Sequence, residues 1–353
     1  MLTLVPGGMG GSETYARALS EQLIGLENVD VTAFVPTAAA GFSRAVPEVE
    51  IPGLHAGPTN LDRLRTLVGA NLHASRIRRS MAASDVVHFP FTVPAPRPAR
   101  HQASVQSLLD VQHLELPHMF SKTELAYRRL FYEGYARRAD AVITISHFAK
   151  RRMVELLGIE ADRIHVAQLG VDTTRFTANL GPRENFILYP ARGWPHKNHA
   201  ALIKAVEIAR LANPGLRLVL TGGGLDVLGE LPDWVDRRGL VSEAELLELY
   251  RTAGAMIFPS LYEGFGLPPL EAMASGCPVA VSTAGSLPEV VGDAAVTFDA
   301  TDAAAIAASI EETFRRSAEL TAAGLRQVAK FTWQSCRDSH VDAYRKAYER
   351  HNS

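Results

Sequence analysis

Cysteine is scarce: only Cys277 and Cys336 occur among 353 residues. Two are too few for a disulfide framework or a zinc site, and they read as free thiols of a reducing compartment. No apolar run of about 18 residues or more appears, so no transmembrane helix is expected. Charge of one sign is also lacking. The formal balance is −2, which excludes the broad basic field of a nucleic-acid binder. The opening "MLTLVPGGMGG" is too short and too glycine-rich for a signal peptide. Internal repeats, low-complexity tracts and heptads are missing as well. These absences lead us to expect a soluble, cytoplasmic chain.

What is present is apolar alternation. At 47% hydrophobic residues, the chain exceeds a comfortable single core and points to two domains. Short apolar runs alternate with longer amphipathic ones, the pattern of parallel sheets covered by helices. Strands are expected at 2–5, 29–35, 85–89, 104–109, 141–145 and 163–167. In the second half they are expected at 185–189, 216–221, 255–259, 278–282 and 294–298. A helix is expected over "SEAELLELYRTAG" (242–254), with Ser242 and Glu245 as a capping box. The stretch "GVDTTRFTANLGPRENF" (170–186) is polar and broken by Gly181 and Pro182, so a domain boundary falls there. The division is residues 1–178, residues 179–335, and a final segment 336–353. Two doubly wound α/β domains would form one cleft, with ligands at the carboxyl ends of the strands.

Three stretches carry residues suited to chemistry. In "VPGGMGGSETYARAL" (5–19), an expected strand runs into glycines and a helix starts, with Ser12 as the expected N-cap. Glycines admit a ligand to the backbone, and a helix N-terminus offers free N–H groups to an anion. Gly8 and Gly10 match two places of a dinucleotide fingerprint, but Glu13 holds the third, and no Gly-Lys-Ser/Thr of a P-loop follows. The plain alternative is a flexible loop. In "YPARGWPHKNHAAL" (189–202), Arg192 and Lys197 follow a strand. A planar fork and a point charge together suit a diphosphate, the alternative being two solvated cations.

The third stretch is "SLYEGFGLPPLEAMASGCPVAVS" (260–282), where Glu263 precedes a turn of Gly264, Phe265, Gly266 and Leu267. Pro268 and Pro269 then begin a helix, where their missing N–H groups cost nothing. Glu271 is expected in that helix's first turn, eight residues after Glu263. A carboxylate there can accept two ribose hydroxyls while the turn's N–H groups face phosphates. The alternative for Glu271 is a complement to the helix dipole, and for Glu263 an exposed loop residue.

With these stretches in view, the chain resembles the retaining glycosyltransferases of family 4, which have the GT-B fold. The resemblance rests on "GGMGGSE", "ARGWPHKNH", "RGLVSEAELLELYRTAGAMIFPS", the Glu-x7-Glu of "EGFGLPPLEAMASGCPVAVS" and "TAGSLPEVVGDAAVTFD", in that order along nearly the whole chain. It implies an acceptor domain at 1–178, a nucleotide-sugar domain at 179–335, and a C-terminal helix (336–353) that returns to the first domain. By the same resemblance Arg192 and Lys197 hold the donor diphosphate, Glu271 the ribose hydroxyls and Glu263 the transferred sugar. Backbone groups near Leu240 and Val241 contact the base, while Gly10 and Gly11 let the first domain approach the diphosphate and sugar.

One departure stands out. Many members carry a His-Asp pair after a first-domain strand, where "SVQSLLDVQHLELPHMF" (104–120) has Leu109 and Asp110, with His113 three residues on. Either His113 takes over that role near the sugar, or it is a plain helix-start histidine. Transferases that lack fixed cations use a metal on Asp-x-Asp, and this chain has no Asp-x-Asp. No metal and no cofactor are expected, the nucleotide-sugar being a substrate. "HKN" with "EGFGLPPLEAM" looks most like mannosyl- and rhamnosyl-transferring members acting on surface polysaccharides, so GDP-mannose is the expected donor, with a UDP- or dTDP-sugar as the alternative. A catalytically inactive sugar-nucleotide-binding protein is the rival class. The acceptor is a glycan or a lipid-linked glycan, and nucleic acid is not a partner. The basic stretches 62–80 and 126–140 are either a solvated face or a seat for peripheral contact with the inner face of the membrane.

Overall fold

The computed structural model describes residues 1–7, 10–27, 29–54, 57 and 60–353. The chain divides into two compact units: Met1–Ile145, Ala149–Leu169 and Trp333–Ser353 form one, Ser146–Phe148 with Gly170–Thr332 the other. Each is built on parallel β-sheet with helical connections, the doubly wound α/β composition that the alternation of runs predicts.

The first unit holds a two-stranded sheet, β1 (Ala33–Pro36) with β2 (Glu48–Ile51), and a four-stranded sheet. The latter runs in the order β3 (Val86–Phe89), β4 (Ala103–Ser107), β5 (Ala141–Thr144), β6 (Ile164–Val166), every pair parallel. One apolar cluster joins Ile77, Met81, Val87 and Phe89; another joins Leu108, Val142, Met153 and Ile164. The long C-terminal helix Trp333–His351 groups with this unit and lies along β3 to β6. It does so through Cys336, His340, Ala343 and Ala347, which recur at helical spacing and are all buried.

The second unit is a six-stranded sheet in the order β12-β11-β10-β7-β8-β9. Its strands are β7 (Glu184–Pro190), β8 (Arg217–Thr221), β9 (Val235–Gly239), β10 (Ala253–Phe258), β11 (Val279–Ser282) and β12 (Val296–Phe298). The chain fills one side of β7 with β8 and β9, then crosses to the other side with β10. β7 and β10 are therefore the switch point of the sheet. All six residues of β10 are buried, which is why it reads as an unbroken apolar run rather than an alternating one.

Several expectations are corrected. "LTLV" (2–5) forms a turn, not a strand: Leu2 and Leu4 are buried, but Leu4 N–H bonds back to Met1 O at 3.1 Å. β2 and β9 were not expected, because short sheet-edge strands with half or more of their residues charged lack an apolar run. The chain changes units at Leu169/Gly170 rather than at 178/179. Val171 N–H bonds Phe331 O at 3.2 Å, Arg175 pairs with Glu243 at 2.8 Å and Phe176 packs on Tyr250, which binds that linker to the second unit. The helix expected to be capped by Ser12 spans Gly11–Gln22, with Gly10 as N-cap at φ 55°, so Ser12 is already helical. Ser242 caps Glu243–Thr252 through Glu245 N at 3.2 Å, but the Glu245 carboxylate turns to Arg238 at 3.0 Å, so the reciprocal half of the capping box is missing. Gly8, of the glycine stretch, lies outside the described residues. No helix among those described is long and apolar enough to cross a membrane.

Each unit buries a neutral imidazole. Burial pushes His340 in the first and His199 in the second down to about 4. An unfolded histidine titrates near 6.5, so between about 6.5 and 4 the unfolded chain binds more protons than the folded one. Stability is therefore whole above about 6.5 and is lost toward 4, by about 1.4 kcal/mol per pH unit for each ring. Melting curves recorded from pH 7.5 to 4.5 should show Tm falling below 6.5; a flat profile would contradict this burial.

Candidate functional site

β7 and β10 are parallel neighbours, so the loops leaving their carboxyl ends run side by side. The β7 loop is short and fastened. A 3-10 turn, Pro195–Lys197, leads to Asn198 in the left-handed region at φ 58°, and the helix His199–Ala209 starts there. The Asn198 amide group donates to Pro259 O at 3.2 Å and Ala300 O at 2.8 Å. Leu261 N–H reaches His196 O at 2.7 Å, and the buried Tyr189 hydroxyl donates to Lys197 O at 2.6 Å. Gly193 lies against the loop after β8, where a Cβ would come within 2.1 Å of Gly224 O, so only glycine permits that approach.

This fastening brings Lys197 Nζ to 2.5 Å from Glu263 Oε1, with both side chains only 13% exposed. The ammonium also stands 5.3 Å from the centre of the Phe258 ring. Arg192, on the same loop, lies 5.5 Å over the exposed Trp194 ring and has no carboxylate partner among the described residues.

The β10 loop is held from the next connection. Ser286 N–H donates to Glu263 O at 3.1 Å, and the Ser286 hydroxyl lies 3.0 Å from Glu263 O and 2.7 Å from Phe265 O. Phe265 is buried against Phe331. The N–H groups of Gly264, Phe265, Gly266 and Leu267 have no hydrogen-bond partner among the described residues. Leu267 is not part of a turn, as the sequence suggested, but the first residue of the helix Leu267–Ala274, behind Gly266 at φ +119°. Pro268 and Pro269 do open that helix. Free donors at a helix start attract an anion.

Glu271 is the fifth helical residue, not a first-turn one, because the helix begins at Leu267. It is half-buried, and the Tyr250 hydroxyl donates to its Oε2 at 2.8 Å. Burial raises its carboxyl above the usual carboxylate range, against the opposing pulls of Tyr250 and Arg175. Leu240 and Val241 follow β9, Leu240 with 80% of its surface exposed.

The remaining expected residues belong to the first unit. Gly10 and Gly11 stand at the start of the first helix. His113 is 1% exposed; its Nε2 lies 3.3 Å from Glu133 Oε1, and Arg137 Nη2 lies 3.3 Å from the other oxygen of that carboxylate. Burial, then Arg128, lowers the His113 pKa, with Glu133 and Asp110 opposing. A ring so enclosed cannot touch a sugar unless its neighbours move, which favours the plain structural reading of His113. Asp110 accepts from Gln112 N at 3.0 Å, a local turn.

Sequence reading missed the groups that set this geometry: Tyr189, Asn198, Tyr250 and Ser286. Asn198 was visible as the residue between a basic turn and a helix. The others read as core.

Residues 171–324 match the family described as "Glycosyl transferases group 1", and residues 9–175 the family described as "Glycosyltransferase Family 4". O-antigen chain mannosyltransferase B of Escherichia coli is 31% identical over 274 residues, 70% of this chain and 71% of that protein. The MMP alpha-(1->4)-mannosyltransferase of Mycolicibacterium hassiacum is 32% identical over 61% of this chain and 56% of its own length. Among solved structures, sucrose-phosphate synthase of Thermosynechococcus elongatus superposes with TM-score 0.76 at 20% identity, covering 96% of this chain and 94% of that one. Anabaena HepE in complex with UDP and glucose gives 0.69 at 18%, covering 94% and 95%.

Gly285 tests the loop's support. A Cβ there would fall 2.5 Å from Glu263 O and 2.8 Å from Glu263 N, at φ +64°. Gly285→Ala should cost about 1–3 kcal/mol of stability and displace Glu263. An unchanged Tm would show that the connection does not hold the loop.

Proposed function

The chain belongs to glycosyltransferase family 4 and is a glycosyltransferase of GT-B fold, and from that premise we propose that it transfers mannose from GDP-mannose, with retention, to a glycan or lipid-linked acceptor. The observation that carries the donor reading is the Lys197–Glu263 pair at the switch point, beside an Arg192 without a carboxylate partner among the described residues. The two opposite charges stand 2.5 Å apart. A bound nucleotide-sugar offers each a better-matched partner: diphosphate oxygens for Lys197, sugar hydroxyls for Glu263. Arg192 and the free N–H groups of 264–267 complete the diphosphate site, and Glu271 takes the ribose. Backbone groups near Leu240 and Val241 contact the base, and the family resemblance gives Gly10 and Gly11 a role at the donor diphosphate.

Breaking the anomeric C–O bond leaves charge on the diphosphate. Preorganised cations and helix-start amides stabilise such charge. In this reading they do so without a divalent ion. Glu263 orients the sugar and is not assigned as nucleophile. Two relatives named as mannosyltransferases support mannose; GDP follows the family resemblance, with UDP or dTDP the alternative. A lipid-linked acceptor is supported by exposed Leu72 and Leu130 near the exposed Arg76, Arg79 and Arg129, which suit an anionic membrane surface.

Thermal shifts against GDP, UDP, ADP and dTDP test the base. A ligand at 100 times its Kd stabilises by about 2.7 kcal/mol, and GDP should give the largest shift. A larger shift with UDP would move the assignment to a UDP-sugar, and no shift with any of them would overturn the donor site.

Two variants separate the carboxylates. Glu271→Ala should weaken bare nucleoside diphosphate and chiefly raise donor KM, since ribose contacts are alike in ground and transition states. Glu263→Ala should lower kcat by orders of magnitude yet leave diphosphate affinity equal or higher, because Lys197 is released from its partner. Lys197→Ala and Arg192→Ala should each lose turnover by orders of magnitude. Equal loss of diphosphate affinity on calorimetry of the two glutamate variants would refute the division.

Activity should also survive EDTA, since the leaving group meets fixed cations. Loss with chelator and recovery with magnesium or manganese would sink that reading.

A further inference from the structure

The first unit contains a chain of polar side chains that the donor reading does not use. It joins Tyr15 of the first helix, Ser107 at the end of β4, His88 of β3, and His340 and Tyr344 of the C-terminal helix. Tyr15, Ser107 and His340 are buried to 1% exposure or less, and His88 and Tyr344 are half-buried.

Geometry sets the direction of every bond. His340 Nδ1 lies 2.7 Å from Cys336 O, and a carbonyl only accepts, so Nδ1 carries the proton. Its Nε2 then accepts, and the Tyr15 hydroxyl donates to it at 2.6 Å. Tyr15 oxygen accepts from Ser107 Oγ at 2.8 Å, and Ser107 Oγ accepts from His88 Nε2 at 2.8 Å. That leaves His88 Nδ1 to accept from the Tyr344 hydroxyl at 2.9 Å. Each proton is used once, and no member is charged. Burial acts in the same sense, since it holds both imidazoles neutral and raises both phenols.

We propose that this relay is a positioning device for the reaction: it anchors Tyr15, one turn inside the helix that begins at Gly10 and Gly11, to two strands and to the last helix of the chain. Helix sliding or rotation breaks the relay: among the described residues His340 Nε2 bonds only Tyr15, and the Ser107 hydroxyl proton, with His88 already donating to its oxygen, has no acceptor but Tyr15. A buried polar network of this kind fixes one arrangement where apolar packing alone tolerates several. Placement of Gly10 and Gly11 is thereby written into side chains from opposite ends of the sequence. The inference rests on the donor-loop role proposed for Gly10 and Gly11.

The test uses the full chain. Tyr15→Phe keeps the ring and deletes two hydrogen bonds. Hydrolysis of the nucleotide-sugar chosen by the thermal screen should show kcat about tenfold lower with donor KM changed little, as displaced positioning groups predict. Calorimetric affinity for the bare nucleoside diphosphate should match wild type. His340→Gln, whose amide can both donate to Cys336 O and accept from Tyr15, should retain more activity than His340→Leu. Nitrogen-15 correlation spectra at pH 7.5 should show His340 protonated on Nδ1 and His88 on Nε2. Matching tautomers on the two rings would overturn the relay. Wild-type kcat and KM in a folded Tyr15→Phe would overturn its positioning role. Absence of nucleoside diphosphate binding in wild type would instead remove the donor reading on which that role depends.

Discussion

The candidate site of the second unit depends on one pairing, that of β7 with β10. Both strands run parallel and both are followed by loops at their carboxyl ends, but the chain visits β8 and β9 between them. A connection crossing from one flank to the other leaves a gap between the helices of the two flanks, and ligands of open α/β sheets lie there. Lys197 and Glu263 are 66 residues apart in sequence and meet because each sits a few residues past its strand. Residue types at those positions matter only because the strands are neighbours.

The same pairing decides the electrostatics. Two opposite charges at 13% exposure are partly stripped of water, and each would be costly alone. Paired, each offsets the other's loss of water. A ligand carrying both anionic oxygens and hydroxyl donors can replace both partners at once, whereas a simple anion satisfies Lys197 and strands Glu263. On the donor role proposed for this pair, selectivity for a diphosphate joined to a sugar would follow from that mutual neutralisation. Arg192, with an aromatic ring and no carboxylate beside it among the described residues, contributes uncompensated positive charge to the same end of the sheet.

Most of this was legible from sequence. The apolar runs at 185–189, 216–221, 255–259 and 278–282 became central strands because buried parallel strands are apolar on both faces. Edge strands escaped notice: "VDRRG" has no apolar run, since its surroundings demand little burial. "LTLV" misled in the opposite way, being buried without pairing. Arg192, Lys197, Glu263 and Glu271 stood out by type and spacing, yet the ion pair between two of them did not. Spacing along a chain carries no information about which loops adjoin until strand order is known. The same holds for Tyr250, whose hydroxyl fixes Glu271 but whose ring reads as core.

The two units use polar side chains in different ways. Those of the second unit's candidate site lie on loops at strand ends, partly open, with the N–H groups of Gly264 to Leu267 unpartnered among the described residues. In the first they are enclosed. The relay through Tyr15 and His340 is satisfied at every step, whereas His113 Nδ1 and Gln106 Oε1 are buried without partners among the described residues. A satisfied network resists rearrangement; an unsatisfied acceptor favours any movement that supplies a donor. Near those two atoms the backbone also departs from regular form, as a π-helical turn over Arg129–Glu133 and a positive φ of 68° at Thr92, whose carbonyl accepts from Gln106. In the first unit the fully bonded polar groups thus lie between the first and last helices, and the acceptors that a donor could still satisfy lie at His113 and Gln106.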